Sequence, residues 1–483
     1  PERFKIAKRL ADRYHFFHPM LEFIEVFWLR DGFDIICGNP PWIKLEFNEQ
    51  SVLSEKYPEV EVRDISAPEV HKLKEQFISE PTMRDIYYNE LMEAYCSQIY
   101  LNATSNYPLL VGQQTDLYKC VLENSLNSLS ETGLMGLIHP ESIYDDPNGG
   151  LLRREIYKRL RYHFQYQNAL NLFAIAHRRK YGTSIYGGRQ SSIKFDNINN
   201  LFHPNTIDAC YAHDGHGKCL GIKDDNGNWN LSGHKQRIIH YSDRHIEVLA
   251  MTFEEGQNAD SAKLVSLHTN VIMSILEKLS LFSDSVSKHN PLVTVCLDET
   301  GAPNAGIITR DTCYPNVDEY QMIYNAPQLY VSNPSYKKQR ENCRNKGDYD
   351  TIELEFISDD YIARTNYIPL YSVTEYKALF KGFSIGQDTD GNTITDDWID
   401  YYKVGFRKMI NQAGERSLIC AVLPRKTAHI NGVISTTFHS GYDTVDMAAL
   451  CASIVMDFYL KTIAAQNLTA NRLLTFPLGT PAK

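Results

Sequence analysis

Apolar and polar positions change period from one stretch of the chain to the next. The run Phe33–Gly38, "FDIICG", is short, apolar and closed by glycine, which predicts a buried strand. In "DLYKCVLENSLNSL", from Asp116 to Leu129, the residues Leu117, Val121, Leu122, Leu126 and Leu129 recur at helical spacing and predict an amphipathic helix. "ETG" breaks that helix, and "LMGLIHP" predicts a second buried strand, ended by Pro140. "LLRREIYKRLRYHF" reads as another helix. Strand, helix, strand, helix in this order predicts an α/β layer with a parallel sheet. The stretch 48–114, mostly polar and helix-prone, reads as an insertion.

Farther along the pattern loosens. Residues 203–256 are rich in Gly, Asn, Asp and His and read as an insertion of loops and short strands. Leu264, Leu267, Val271, Ile275 and Leu279 predict a helix over about Ser261 to Leu281, within a connector at 257–290. The remainder, 291–483, mixes short strand-like runs ("PQLYVS", "RSLICAVLP") with the helical "MAALCASIVMDFYLKTIA". The expected divisions are therefore 1–202, 203–256, 257–290 and 291–483.

The chain has 483 residues, 43% of them hydrophobic, enough for a large core and about two or three domains. Its formal charge of -10 does not mark a nucleic-acid binder, but such binding depends on local patches rather than the total. Two patches run against it. Residues 151–180 hold eight Lys or Arg and one acid, and Tyr336 to Lys346, "YKKQRENCRNK", holds five and one. Lys337, Lys338, Arg340, Arg344 and Lys346 are the candidate phosphate contacts. Ten cysteines without a C-x-x-C pair fit reduced thiols in a cytosolic protein. No apolar run reaches spanning length, and no signal peptide is evident, so no membrane partner is expected. The chain opens on Pro1, as expected of a piece of something longer.

"CYAHDGHGKC" spaces Cys210, His213, His216 and Cys219 by three residues each. These are zinc-ligand types, yet the usual two-pair spacing is missing, so a Gly-rich loop with incidental His and Cys is expected and zinc is not.

The sharpest chemistry follows "FDIICG". In doubly wound sheets, ligands sit outside the carboxyl ends of strands, and "NPPW", Asn39 to Trp42, occupies that place. Pro40 and Pro41 stiffen the loop and donate no N–H, leaving the carbonyl between them free to accept. The Asn39 side-chain oxygen is a second acceptor, and Trp42 offers a flat face. Two fixed acceptors beside an aromatic plate suit an exocyclic amine on a planar heterocycle. They would localise the amine lone pair and stabilise the positive charge that develops as it attacks an electrophilic methyl. A base inside a duplex must be flipped out to reach such a loop.

The loop and its surroundings resemble the amino-methylating, S-adenosylmethionine-dependent DNA methyltransferases with an N-P-P-[YFW] motif. The nearest are the large adenine-N6 enzymes of bacterial type IIG restriction–modification and of phage-defence systems such as BREX and DISARM. "FHPMLEFIEVFWLRDGFDIICGNPPW" resembles their approach to the catalytic loop, and "DLYKCVLENSLNSLSETGLMGLIHPESIY" the next helix and strand. "NALNLFAIAHRRKYGTSIYG" resembles the strand with a second base-facing aromatic. "FRKMINQAGERSLICAVLPR" and "DFYLKTIAAQNLTANRLLTFPL" resemble their target-recognition region.

The resemblance implies a Rossmann-like class I methyltransferase sheet, its downstream half only, followed by a mixed α+β target-recognition domain at 291–483. It implies methyl transfer to N6 of adenine in duplex DNA by base flipping, in the bacterial cytoplasm. It puts the amine acceptors on Asn39 and Pro40, with Pro41 completing the loop, and the stacking face on Trp42. The opposite face falls to Tyr181 or Tyr186, and the cofactor-pocket side to Asp116 and Tyr118. One departure matters. Only 38 residues precede Asn39 and none form the F-x-G-x-G cofactor loop of these enzymes. "DGHGKCLG", with Gly215, Gly217 and Gly221, has no leading strand and does not replace it. Most of the S-adenosylmethionine site is therefore expected in a missing upstream half or another defence-system subunit, as is any nuclease. A DNA-specificity module that binds without reacting, or amine methylation of RNA or of a protein glutamine, are the alternatives.

Overall fold

The structure is a computed structural model. It describes residues 2–63, 67–114, 116–254, 256, 258–282, 284–330, 333–334, 337–345, 347–387, 392–411, 415–463 and 467–479. The chain divides into two compact units, one of Pro1–Ala250 with Gln257–Ser274, the other of Met251–Gly256 with Ile275–Lys483.

The first unit is built on a six-stranded sheet of β1 (Phe33–Gly38), β2 (Leu129–Pro140), β3 (Leu160–Gln167), β4 (Lys180–Gly187), β5 (Lys194–Leu201) and β6 (Ile239–Ser242). Their order across the sheet is β1-β2-β4-β3-β5-β6. The sheet is mixed rather than parallel: β1 runs parallel to β2 and β3 to β5, while β4 is antiparallel to both its neighbours and β6 to β5. The direct hairpin from β3 to β4 inserts β4 beside β2, a connection that only antiparallel strands allow.

Before β1 lie α1 (Glu2–Tyr14), α2 (Pro19–Glu22) and α3 (Ile24–Arg30), none with a buried residue. The insertion after β1 carries α4 (Glu49–Ser54), α5 (Glu59–Val62), α6 (Ala67–Ser79) and α7 (Pro81–Asn102). These helices share a small core of Val52, Leu53, Val60, Phe77 and Tyr87. The amphipathic helix is α8 (Leu117–Ser128), with Tyr118, Leu122 and Leu126 buried along one stripe.

Two expected helices are shorter than read. "LLRREIYKRLRYHF" is α9 (Gly150–Arg159) only as far as Arg159, then turns directly into β3. From Leu160 on the chain pairs with β4 on one side and β5 on the other, which makes it a central strand. The connector is helical only over Asn270–Leu279. Its first half is not helical, because its carbonyls are taken from outside the segment. Arg153 Nε donates to the Ser261 carbonyl at 2.8 Å and the Tyr157 hydroxyl to that of Ala262 at 2.7 Å. The Leu264 N–H donates to the Tyr144 carbonyl at 3.0 Å.

The second unit centres on a four-stranded antiparallel sheet of Cys420–Leu423, Lys403–Arg407, Val433–Thr437 and Leu292–Thr294. Smaller strand pairs and the helices Gly441–Ala452 and Ile454–Ile463 complete it. Its main core gathers Ile308, Ile323, Tyr367, Tyr376, Ile399 and Ala428. Among the described residues, no helix is long and apolar enough to cross a membrane.

Candidate functional site

The chain leaves the carboxyl end of β1 as Asn39–Trp42, beside the parallel strand β2, where Gly38 pairs with Leu137. Pro40 is buried, whereas Asn39 and Pro41 are exposed. No described residue hydrogen-bonds the Asn39 side chain, so its amide is open to solvent. The loop's far side is tied to the start of α8: Lys44 bridges Asp116, and the Leu117 N–H donates to the Ile43 carbonyl at 3.0 Å. Asp116 occupies the N-cap position of α8, yet its side chain makes no cap bond. Burial pushes its carboxyl up, against Lys119 and Lys44, which pull it down.

Trp42 is half-buried, its Nε1–H toward the Ile138 carbonyl at 3.4 Å. Its ring touches Tyr181 (centroids 6.0 Å apart, tilted 34°) and Phe173 (5.7 Å, 39°). Tyr166 stacks on Tyr181 at 5.3 Å and 11°. Tyr181 is thus brought to Trp42, but in direct contact with it. A base between two rings needs about 7 Å, two contacts of ~3.5 Å. Tyr186 lies elsewhere. It is fully buried, its hydroxyl bonded to His139 Nε2 at 3.0 Å and lying 3.3 Å from the Tyr144 hydroxyl, so no face is left for a base. Adjacent residues on a strand point to opposite faces, and so do residues five apart such as Tyr181 and Tyr186.

The sequence reading missed a polar cluster at the same end of the sheet. Glu141 directly follows β2. His163 Nε2 lies 3.1 Å from its Oε1, and Gln165 Nε2 donates to its Oε2 at 2.8 Å. Asn197 Nδ2 lies 2.6 Å from His163 Nδ1, and Asn199 fixes the Asn197 amide by donating to its Oδ1 at 2.5 Å. That puts a proton on His163 Nε2, facing Glu141. A Cβ at Gly182 would collide with Glu141 Oε1, so glycine is what lets β4 pass. "HPESIY" carried the Glu in plain view, but its partners on β3 and β5 are distant in sequence.

Of the expected cofactor-side residues, Tyr118 is buried, its hydroxyl 2.5 Å from Ser142 Oγ and its ring stacked on His139. Only Asp116 offers an unengaged polar group there. Cys210 is buried in the apolar cluster with Tyr166 and Tyr181, while His216 is exposed. Among the described residues no group of three or more His, Cys, Asp or Glu could hold a metal ion.

In the basic stretch of the second unit, Lys338 and Arg344 are exposed, with side chains unpaired among the described residues. Arg340 pairs with Asp350 at 2.7 Å, and Lys337 lines a cavity. Lys346 lies outside the described residues. The earlier basic stretch is largely consumed internally: Arg153 is buried against carbonyls, Arg159 pairs with Glu155 at 2.6 Å, and Arg161 bonds the Gly188 carbonyl at 2.6 Å.

No protein-family model and no curated protein matches the chain. Solved structures similar to it include restriction–modification proteins. The type IIL enzyme MmeI in complex with DNA aligns with a TM-score of 0.35 and 7% identity, over 91% of this chain and 45% of that one. A nuclease-deletion mutant of the type ISP enzyme LlaGI with a DNA substrate mimic gives 0.29 and 8%, over 91% and 43%. The type I methyltransferase subunit from Streptococcus thermophilus gives 0.20 and 12%, over 41% and 30%. The chain therefore spans less than half the length of each of these proteins.

Proposed function

We propose that this chain is the base-binding and DNA-recognition part of an adenine-N6 DNA methyltransferase, serving restriction–modification or phage defence. One observation carries the reading. A stiff Asn-Pro-Pro-Trp loop leaves the carboxyl end of a parallel strand with its Asn39 amide exposed and unengaged. Asn39 Oδ1 and the Pro40 carbonyl would accept the two hydrogens of the flipped adenine's amine, while Trp42 replaces lost stacking. Pro41 keeps the Pro40 carbonyl free of a competing local donor. Tyr181 serves as the opposite face if it and Trp42 part by ~1 Å; otherwise it backs Trp42.

The S-adenosylmethionine loop would come from a segment or subunit packing beside β1. That strand is the sheet's edge, and apolar side chains around it lie open, Ile35 73% and Trp28 85% exposed. A parallel strand normally has both faces covered. The second unit would hold duplex DNA. The rival reading, a specificity module that binds without reacting, draws on the closed contact of Trp42 with Tyr181.

Sequencing DNA for N6-methyladenine, from cells with and without the complete gene, tests the proposal. A reconstituted protein that binds S-adenosylmethionine yet labels no adenine in any DNA overturns it. Competition among DNA, RNA and protein substrates separates the amine acceptors. For the DNA contact, Lys338→Gln with Arg344→Gln should weaken binding across sequences alike. The slope of log affinity against log salt should shrink by about two, one per phosphate contact. An unchanged slope in filter-binding titrations would remove these residues from the interface.

A further inference from the structure

The second unit holds a cavity of about 430 Å³ lined by the turn Pro424–Thr427 and by Tyr324, Tyr361 and Tyr402. That volume is in the range of small-ligand sites, about 300–1,000 Å³. The turn is built rather than loose. Lys426 is held at φ 61, and its N–H donates to the Ile399 carbonyl at 2.8 Å. The Thr427 hydroxyl donates to the Pro424 carbonyl at 2.6 Å. Beneath, the fully buried Lys403 donates from Nζ to the Thr427 carbonyl at 3.0 Å and lies 3.4 Å from that of Pro424. No described carboxylate pairs with it.

The turn presents two more cations. The Arg425 guanidinium lies over the Tyr402 ring, 4.9 Å from its centroid, and no described carboxylate pairs with it. A guanidinium laid on an aromatic plate keeps its N–H donors for a planar anion or phosphate. Lys426 Nζ is 3.2 Å from Asp318, whose side chain is largely exposed and so competes weakly. The aromatic wall has polar tips. The Tyr361 hydroxyl is buried with no described hydrogen-bond partner, and burial with Tyr361 nearby pushes the Tyr324 hydroxyl up to about 12. Both stay neutral donors at neutral pH. Cations and tyrosines lining one cavity fit a ligand that carries both a phosphate and a planar ring.

We propose that this cavity binds one nucleotide of an unpaired DNA strand, its phosphate on Arg425 and Lys426 and its base against Tyr402 and Tyr361. DNA as the source rests on the proposed function; occupancy by a nucleotide does not. Calorimetric titration of the full chain with dAMP, deoxyadenosine and inorganic phosphate is the test. dAMP should bind about tenfold or more tighter than either part alone. Arg425→Gln and Tyr402→Ala should each weaken dAMP about tenfold, with unfolding midpoints unchanged. Phosphate competing as well as dAMP, or both variants binding dAMP as the parent does, overturns the assignment. If single-stranded oligonucleotides bind while dAMP does not, the cavity is not the nucleotide site, although the unit contacts DNA. If dAMP binds but a single-stranded oligonucleotide does not displace it, a free mononucleotide is the ligand and the DNA source falls.

Discussion

Replacing Asn39 by alanine is expected to slow methyl transfer by about 100-fold or more, the cost of removing one preorganised acceptor from a developing charge. The loss should fall on the rate at saturating DNA, because the acceptor matters most once the amine nitrogen becomes cationic. Stability should hold. Asn39 is exposed and bonds no described residue, so its truncation should change unfolding free energy by no more than about 0.5 kcal/mol. Asn39→Asp should keep part of the activity, since a carboxylate still accepts. Single-turnover methylation by the protein completed with its cofactor-binding part, compared at matched unfolding midpoints, makes the measurement. A full-rate Asn39→Ala enzyme would move the chain to the rival class of binding modules.

Local pattern carried the reading as far as local forces decide structure. "FDIICG" forms a strand as expected, but as the sheet's edge strand it has no buried residue. α8 was legible because its buried positions recur at helical spacing. The passage from α9 into β3 was not, since "KRLRYHF" holds charges and aromatics that suit either state and only the β4 and β5 partners decide it. The non-helical stretch before Asn270 was missed for a related reason. Its apolar positions have helical spacing, but Arg153 and Tyr157, about a hundred residues earlier, claim its carbonyls. The site divides likewise. Asn39 to Trp42 are contiguous and could be read directly. Phe173 and Tyr166, which hold Trp42 and Tyr181, come from separate segments, as do the tyrosines of the second unit's cavity. Tyr186 was misplaced because strand parity, which sends it to the face opposite Tyr181, appears only once the strand itself is known.

Glu141→Ala should lower the unfolding free energy of the first unit by about 3 kcal/mol at pH 7. The change strips the buried His163 and Gln165 of a charged acceptor, each unpaired group costing roughly 1–3 kcal/mol. The effect should fade in acid, and the sign follows from the carboxyl's surroundings. Burial pushes Glu141 up, but His163 beside it and the two hydrogen bonds outweigh this and hold it below the ordinary carboxylate value. A depressed carboxyl contributes stability that is whole above its unfolded pKa, about 4.3, and is lost as pH falls through the folded value. Urea unfolding of parent and variant at pH 7 and pH 3 should therefore converge toward acid. A gap that stays constant would mean that Glu141 is not ionised in the fold. The same substitution should also reach the loop. Pro140, its neighbour, pairs with Tyr181 across the sheet, and Tyr181 supports Trp42. Base binding should weaken in Glu141→Ala even where the unit remains folded, and Glu141→Gln, whose single amide oxygen replaces only one of the two acceptors used by His163 and Gln165, should restore part of it.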